Sequence, residues 1–348
     1  MSSNQFSKAG LFTLLAIFLF IAGWELYLRS KGVDIAFDDG SQLWSDKRAR
    51  VFTPPDKATV FIGSSRIKYD LDIPTWRKMT GEDAVQLAIE GSSPLSVLDD
   101  LAADEKFNGK LVVDVTEGLF FSNNPRNFFE PNRNIAYYKD QTPSEKFSFK
   151  LNTLLERNFV FLDRDNYSTN AFLNKMELRS RPGIFTMPIF PMEFGRTTFD
   201  RQAMMTDEFV ADTNLHRKVT NIWEFFRSIS TEPPASGARL DSFLVAVKTA
   251  CDKIKARGGQ ILFVRTPSSG PYWMGEQQGF PREKYWDRIL SFTGNPGIHF
   301  ADYPSINKFI CPEWSHLIPQ DAIVFTKNFV EILEMEKGWK FSNKNRSL

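Results

Sequence analysis

"VFIGSSRIKYD", residues 60–70, begins as a strand and ends as something else. Val60, Phe61 and Ile62 are the β-branched and aromatic residues of a buried strand, and the run halts at Gly63. Two serines and Arg66 follow. A serine just past the C-terminal end of a strand sits well in a tight turn, its hydroxyl exposed and main-chain N–H groups beside it. Serine is a weak nucleophile until a base takes its proton. The rest of the chain must therefore supply that base.

Outward from this stretch the pattern alternates. DAVQLAIEGSS (83–93) reads as a second strand, and PLSVLDDLAADEKF (94–107) as an amphipathic helix with Pro94 in its first turn. GKLVVDVTEG (109–118) is a third strand, apolar throughout like the buried strands of a parallel sheet. Far downstream come the helix RLDSFLVAVKTACDKIKARGG (239–259), the strand QILFVRTP (260–267), a fifth strand GIHFADYP (297–304) and a closing helix PQDAIVFTKNFVEILEMEKG (319–338). Strands separated by helices predict a doubly wound, flavodoxin-like parallel α/β sheet of about five strands, with ligands bound beyond the strand C-termini.

Residues 57–119 and 240–348 would form this core, interrupted by residues 120–239. The interruption is rich in Phe, Asn, Arg and Pro, with helices expected near 144–157 and 206–230. An insertion of this length is no loop; it is expected as a mostly helical cap over the sheet's C-terminal edge, with an oligomerisation surface as the equal alternative.

The N-terminal residues 1–8 are a polar tail, and AGLFTLLAIFLFIAGW (9–24) is free of charge. Continued to Leu28, residues 9–28 have the length of a helix that crosses roughly 30 Å of hydrocarbon. A cleaved signal peptide and an uncleaved anchor both have this form. Ile21 before Ala22 and Gly23 spoils a small-x-small cleavage site, and the run exceeds a usual signal core, which favours the anchor. Lys8 precedes the segment, with Arg29 and Lys31 beyond it, so a Lys/Arg count alone does not favour export of the C-terminal domain. Residues 29–56 read as a stalk.

Composition narrows the function. With 43 basic against 42 acidic residues there is no basic field for nucleic acid. Two cysteines and three scattered histidines have no metal-ligand spacing, and "GSSR" lacks the length and lysine of a phosphate loop. No metal and no cofactor are expected. If the domain is exported, Cys251 and Cys311 are expected to pair, two free buried thiols being the other reading.

Of the histidines, His216 falls in a charged helix of the insertion and His299 in the fifth strand. His316 lies in CPEWSHLIPQDA (311–322), a loop that returns to the sheet's C-terminal edge, with Glu313 three residues earlier. Ser65, His316 and a carboxylate can converge there, the acid being Glu313 or Asp302.

These residues together resemble the SGNH/GDSL hydrolase superfamily. "GSS" (63–65) stands for Gly-Asp-Ser, "LAIEGSSP" (87–94) for its second block, and "EWSH" (313–316) for its Asp-x-x-His block with glutamate in place of aspartate. The resemblance implies Ser65 as nucleophile, His316 as base and Glu313 as its orienting acid. It also implies the N–H groups of Ser65 and Gly91 as an oxyanion site. The third block departs from the pattern: "DVTEGLFFSNN" (114–124) has no asparagine in register, Asn123 and Asn124 coming several residues late. The anchored layout is similar to the bacterial extracytoplasmic branch that includes D-alanyl-lipoteichoic acid transfer and alginate O-acetylation proteins. That likeness implies a single-pass membrane protein with its catalytic domain outside the cytoplasm, a glycan or acylated polymer as substrate, and a membrane-bound O-acyltransferase as partner. A catalytically degenerate accessory protein of the same layout is the alternative.

The loop RTPSSGPYWMGE (265–276) comes after the fourth strand at the ligand-binding edge. With Arg66 beside the nucleophile, its Arg265, Ser268, Ser269, Trp273 and Glu276 are candidate pocket residues, the aromatics as sugar platforms. Arg66 reads equally as an ion-pair partner.

Overall fold

The computed structural model describes residues 3–52, 57–174, 176, 187–230 and 232–342. It divides into two compact units, the described residues of 1–38 with 142–187, and those of 39–141 with 188–348.

The second unit holds the sheet. Its strands are β1 (Ala58–Ile62), β2 (Asp83–Gln86), β3 (Lys110–Asp114), a two-residue ribbon β4 (Arg196–Thr197) and β5 (Ala203–Met204), then β6 (Gln260–Arg265) and β7 (Gly297–His299). The main sheet runs β2-β1-β3-β6-β7, and every neighbouring pair is parallel. β1 stands between β2 and β3, with Val60 opposite Val85 on one side and Leu111 on the other. The chain therefore winds first to one side of β1 and then to the other, and the crevice between β1 and β3 is the topological switch point of the sheet.

Strand alternation sends side chains to two cores. Val60, Ile62, Leu111, Val113, Ile261 and Phe263 pack beneath the helices Leu95–Ala103 and Gly237–Ala256. Phe61, Val112, Leu262, Val264 and Ile298 pack beneath Ile73–Thr80 and Pro319–Met335. Pro94 takes the N-cap position of the first of these helices, one residue before its expected place.

The expected disulfide is not formed. Cys251 and Cys311 are both free and buried, and they belong to the two separate cores. The sheet itself separates the thiols, so an even cysteine count carries no pairing here.

Within the stretch read as a stalk, Ser41–Arg48 is helical, and fully buried Trp44 donates its indole N–H to the Leu87 carbonyl at 3.1 Å. Within the insertion, the helices Asp207–Ala211 and Thr213–Ile229 belong to the sheet-bearing unit. Phe194, Phe209, Leu215 and Val219 form a third apolar cluster with Tyr69. The helix Pro143–Glu156 belongs to the first unit, with the N-terminal helix Ser3–Ser30. In that helix Phe6–Ser30 is long and apolar enough to cross a membrane, at a mean hydropathy of 2.1 and 11 % burial.

Candidate active site

β1 ends at Gly63, where a Cβ would lie 2.5 Å from the Cβ of Asp114 on β3. Only glycine allows this approach. The chain then turns into the short helix Ser65–Asp70 at the switch point. The two serines part company here. Ser64 is buried, its N–H reaching Asp114 Oδ2 at 3.4 Å and its hydroxyl 2.8 Å from that of Thr116. Ser65 is half-buried, and its Oγ lies 2.8 Å from His316 Nε2.

The other ring nitrogen, His316 Nδ1, is 3.0 Å from Glu313 Oε1. That oxygen also accepts the N–H groups of Ser315 at 3.1 Å and His316 at 2.6 Å, which winds the loop around the carboxylate. Trp314, between Glu313 and Ser315, takes a left-handed backbone, φ +80°. For a bulky residue that conformation costs about 1–3 kcal/mol and persists where the surroundings enforce it. Its carbonyl accepts from Ser269 N at 2.9 Å, and its ring crowds Gly270, whose backbone is left-handed at φ +57° and where a Cβ would sit 3.1 Å from Trp314 Cδ1.

The second Glu313 oxygen accepts the indole N–H of Trp223 at 2.6 Å. Trp223 comes from the inserted helix Thr213–Ile229, and no sequence signal singled it out. Burial alone would raise the Glu313 carboxyl. The His316 ring and the donors from His316 and Trp223 outweigh it and hold the group below the usual carboxylate range. An ionised Glu313 accepts only, so Nδ1 carries the ring proton and Nε2 offers its lone pair to the Ser65 hydroxyl. Tyr69, Phe194 and Trp223 surround the imidazole, with ring centroids 4.5, 5.7 and 6.2 Å away.

The serine helix and the histidine loop are laced at further points. Arg66 Nε donates to Ser315 Oγ at 3.2 Å, and Asp70 Oδ1 accepts Leu317 N at 2.9 Å. Burial pushes the Asp70 carboxyl up to about 7, and likewise that of Asp114 to about 6.

Behind Ser65 lies a buried ion network. Arg66 and Arg265 both pair with Glu276, while Arg265 also donates to Glu117 at 3.1 Å and to Ser268 at 3.1 Å. Burial opposes the charge of Glu276, but Arg265 and Arg66 hold its carboxyl below the ordinary range. At Glu117 burial prevails over Arg265 and raises it.

The candidate pocket residues are thus divided. Arg66, Arg265, Ser268 and Glu276 bond to one another. Ser269 Oγ bonds to the Cys311 backbone, accepting its N–H at 3.0 Å. Trp273 and Glu276 line a separate cavity of about 290 Å³ with Glu117, Trp286 and His299.

Gly91 takes a left-handed turn, φ +60°, beyond β2 on the same sheet edge as Ser65. Neither late asparagine is brought to Ser65: Asn123 sits beside Arg239, and Asn124 Oδ1 accepts Arg126 N at 3.1 Å. Asp302 pairs with Arg282 at 2.5 Å, leaving Glu313 as the acid on His316. His216 Nε2 lies 2.7 Å from the Phe209 carbonyl, and His299 Nδ1 accepts Ala301 N, its pKa lowered to about 3 by burial and Arg265. Among the described residues no group of His, Cys, Asp and Glu is arranged to hold a metal ion.

Chemically, a serine hydroxyl on an imidazole whose far side rests on a carboxylate is an arrangement able to lose its proton to the ring in attacking an electrophile. No protein-family model matches the chain, and comparison with curated proteins gives no match.

Proposed function

We propose that the chain is a membrane-anchored, SGNH-type serine esterase or O-acyltransferase acting on an extracytoplasmic glycan or lipid-linked polymer. The observation that carries this reading is the hydrogen-bond chain from Ser65 Oγ through His316 to Glu313, at 2.8 and 3.0 Å, at the switch point of a parallel sheet. The apolar helix Phe6–Ser30 supports membrane association.

In the first half-reaction Ser65 Oγ attacks the ester carbonyl carbon while His316 Nε2 takes the hydroxyl proton. The proton then passes to the departing alcohol, leaving the acyl group on Ser65. Water or a sugar hydroxyl next attacks this acyl-serine, giving its proton to His316, which returns it to Ser65 Oγ. Glu313 keeps the imidazole in the Nδ1–H tautomer and balances its transient charge. The N–H of Ser65, at the start of its helix, and that of Gly91 would hold the oxyanion. A membrane-bound O-acyltransferase would supply the acyl group. The sheet-bearing part of the inserted segment, including the Trp223 helix, would act as the cap that selects the acceptor.

A second reading, a non-catalytic accessory protein, draws on one observation: neither Asn123 nor Asn124 reaches Ser65. Loss of one oxyanion donor costs roughly a hundred- to thousandfold in rate. A fluorophosphonate probe applied to the full-length protein in membranes separates the two. Labelling that disappears in Ser65→Ala is the expected result. An unlabelled wild-type protein would leave the accessory role. Adding soluble oligosaccharides to a p-nitrophenyl acetate assay then tells transfer from hydrolysis.

A further inference from the structure

In the first compact unit, residues 142–174 are tied to the far end of the N-terminal helix. The Glu25 carboxylate accepts the backbone N–H groups of Val160 and Phe161, each at 3.2 Å. Arg29 Nη2 donates to the Asn158 carbonyl at 2.9 Å, and the Trp24 ring stands edge-on to Tyr167 at 6.3 Å. Trp24, Glu25 and Arg29 lie in the last turns of the apolar span Phe6–Ser30. Aromatic and charged residues at the end of a span mark the level where hydrocarbon gives way to headgroups. Residues 142–174 are held at that level.

The helix Pro143–Glu156 opens with a capping box between Thr142 and Glu145. Its Phe147, Leu151, Leu154 and Leu155 recur at i, i+4, i+7 and i+8, one apolar stripe along one face. In a globular domain such a stripe faces the interior. Here it is turned outward, with these side chains between 48 and 64 % exposed. The packed side of the helix carries buried Thr153 and half-buried Glu145, Phe149 and Glu156. At about 100° per residue those positions lie opposite the stripe. Lys150 and, further round, Lys146, both exposed, border it on one side. Leu173 and Met176, further along the same segment, are 56 and 61 % exposed.

We infer that this segment is an interfacial platform, its apolar stripe lying in the headgroup–acyl boundary of the membrane that Phe6–Ser30 crosses. The occupant of the stripe is lipid. The platform is bonded to the span where the span leaves the hydrocarbon, so acyl chains are within reach of the stripe. The bordering lysines, with apolar stems and cationic ends, suit an anionic headgroup layer. The inference rests on the membrane-spanning reading of Phe6–Ser30 and is independent of the chemistry at Ser65.

The test uses the full-length chain reconstituted in phosphatidylcholine–phosphatidylglycerol vesicles. Single cysteines at Leu151, Leu154, Asn152 and Phe18 carry an environment-sensitive fluorophore, with the wild-type chain and its two buried thiols as the blank. Lipids bearing a nitroxide near the headgroup act as quencher for the platform positions, and lipids bearing it deep in the acyl chain act as quencher for Phe18→Cys at mid-span. Leu151→Cys and Leu154→Cys should be quenched several-fold, and Asn152→Cys, on the polar side, far less. Quenching at Phe18→Cys alone would overturn the platform and leave the span standing. An unquenched Phe18→Cys would remove the span and the platform with it. A label at Leu151→Cys shielded from aqueous iodide yet untouched by nitroxide lipid would show a protein partner, such as a second copy of this chain, and overturn the lipid assignment.

Discussion

Ser64 and Ser65 are chemically alike, and their surroundings give them different work. Ser64 is bonded inward to Asp114 and Thr116, whereas the Ser65 hydroxyl meets His316. Ser65→Ala should therefore abolish turnover. Ser64→Ala should cost only the equivalent of a local hydrogen bond, about 0.5–1.5 kcal/mol, in a thermal melt. Trp223→Phe is the sharper test, because it keeps the ring and deletes the donor to Glu313. A hydrogen bond to a charged group is worth about 1.5–3 kcal/mol. We expect kcat/KM to fall roughly ten- to a hundredfold with the fold retained. The acid limb of its pH profile should move up, since Glu313 loses a group that favours its ionised form. A profile identical to wild type would show that Trp223 merely fills space. The convergence of Ser65, Glu313 and His316 was legible because each stands in a short local pattern. Trp223 was not, because it lies 90 residues from Glu313 and nothing near it in sequence marks an indole as a carboxylate's donor.

The elements around the site are joined edge to edge. β1 and β3 close on each other at Gly63, so Gly63→Ala must push Asp114 or the β1 end aside. Such overpacking typically costs about 1–3 kcal/mol, read as a lower denaturant midpoint. The joint between the serine helix and the histidine loop carries a pH signature. With a folded pKa near 7 against an ordinary 3.8, Asp70 retains a proton on folding between those values. The native state then binds more protons than the unfolded, so stability falls as pH rises from about 4 to 7. Asp114 adds the same sign up to about 6. Asp70→Asn keeps the acceptor for Leu317 and removes the titration, so its melting temperature should gain on wild type between about pH 5 and pH 7.5. An unchanged difference across that range would exclude Asp70 as the titrating group. Strands and helices of the sheet were readable from alternation and length. Their packing was less so: Trp44 was hidden in a polar stretch that reads as a stalk, and its burial depends on a carbonyl at residue 87.

At the scale of the molecule, the fold class was legible because a five-strand βα pattern admits few windings. What alternation did not reveal is that the insertion serves two units, part with the sheet and part with the apolar N-terminal helix. Composition cannot assign a segment to a partner distant in sequence. The proposed topology is open to a direct reading. A reporter that is active only outside the cytoplasm, fused after Leu348, should be active, and one that is active only inside should be silent; the reverse pair would invert the chain. The bond between Ser65 and His316 spans 251 positions of sequence, and this bears on the order of events during synthesis. The ribosome delivers Ser65 well before its base, and before the helix Pro319–Met335 that follows that base. A chain stalled or clipped before His316 has a hydroxyl without a base. On the proposed mechanism, copies that lack His316 would therefore be chemically inert, and synthesis past that residue is itself the activating event.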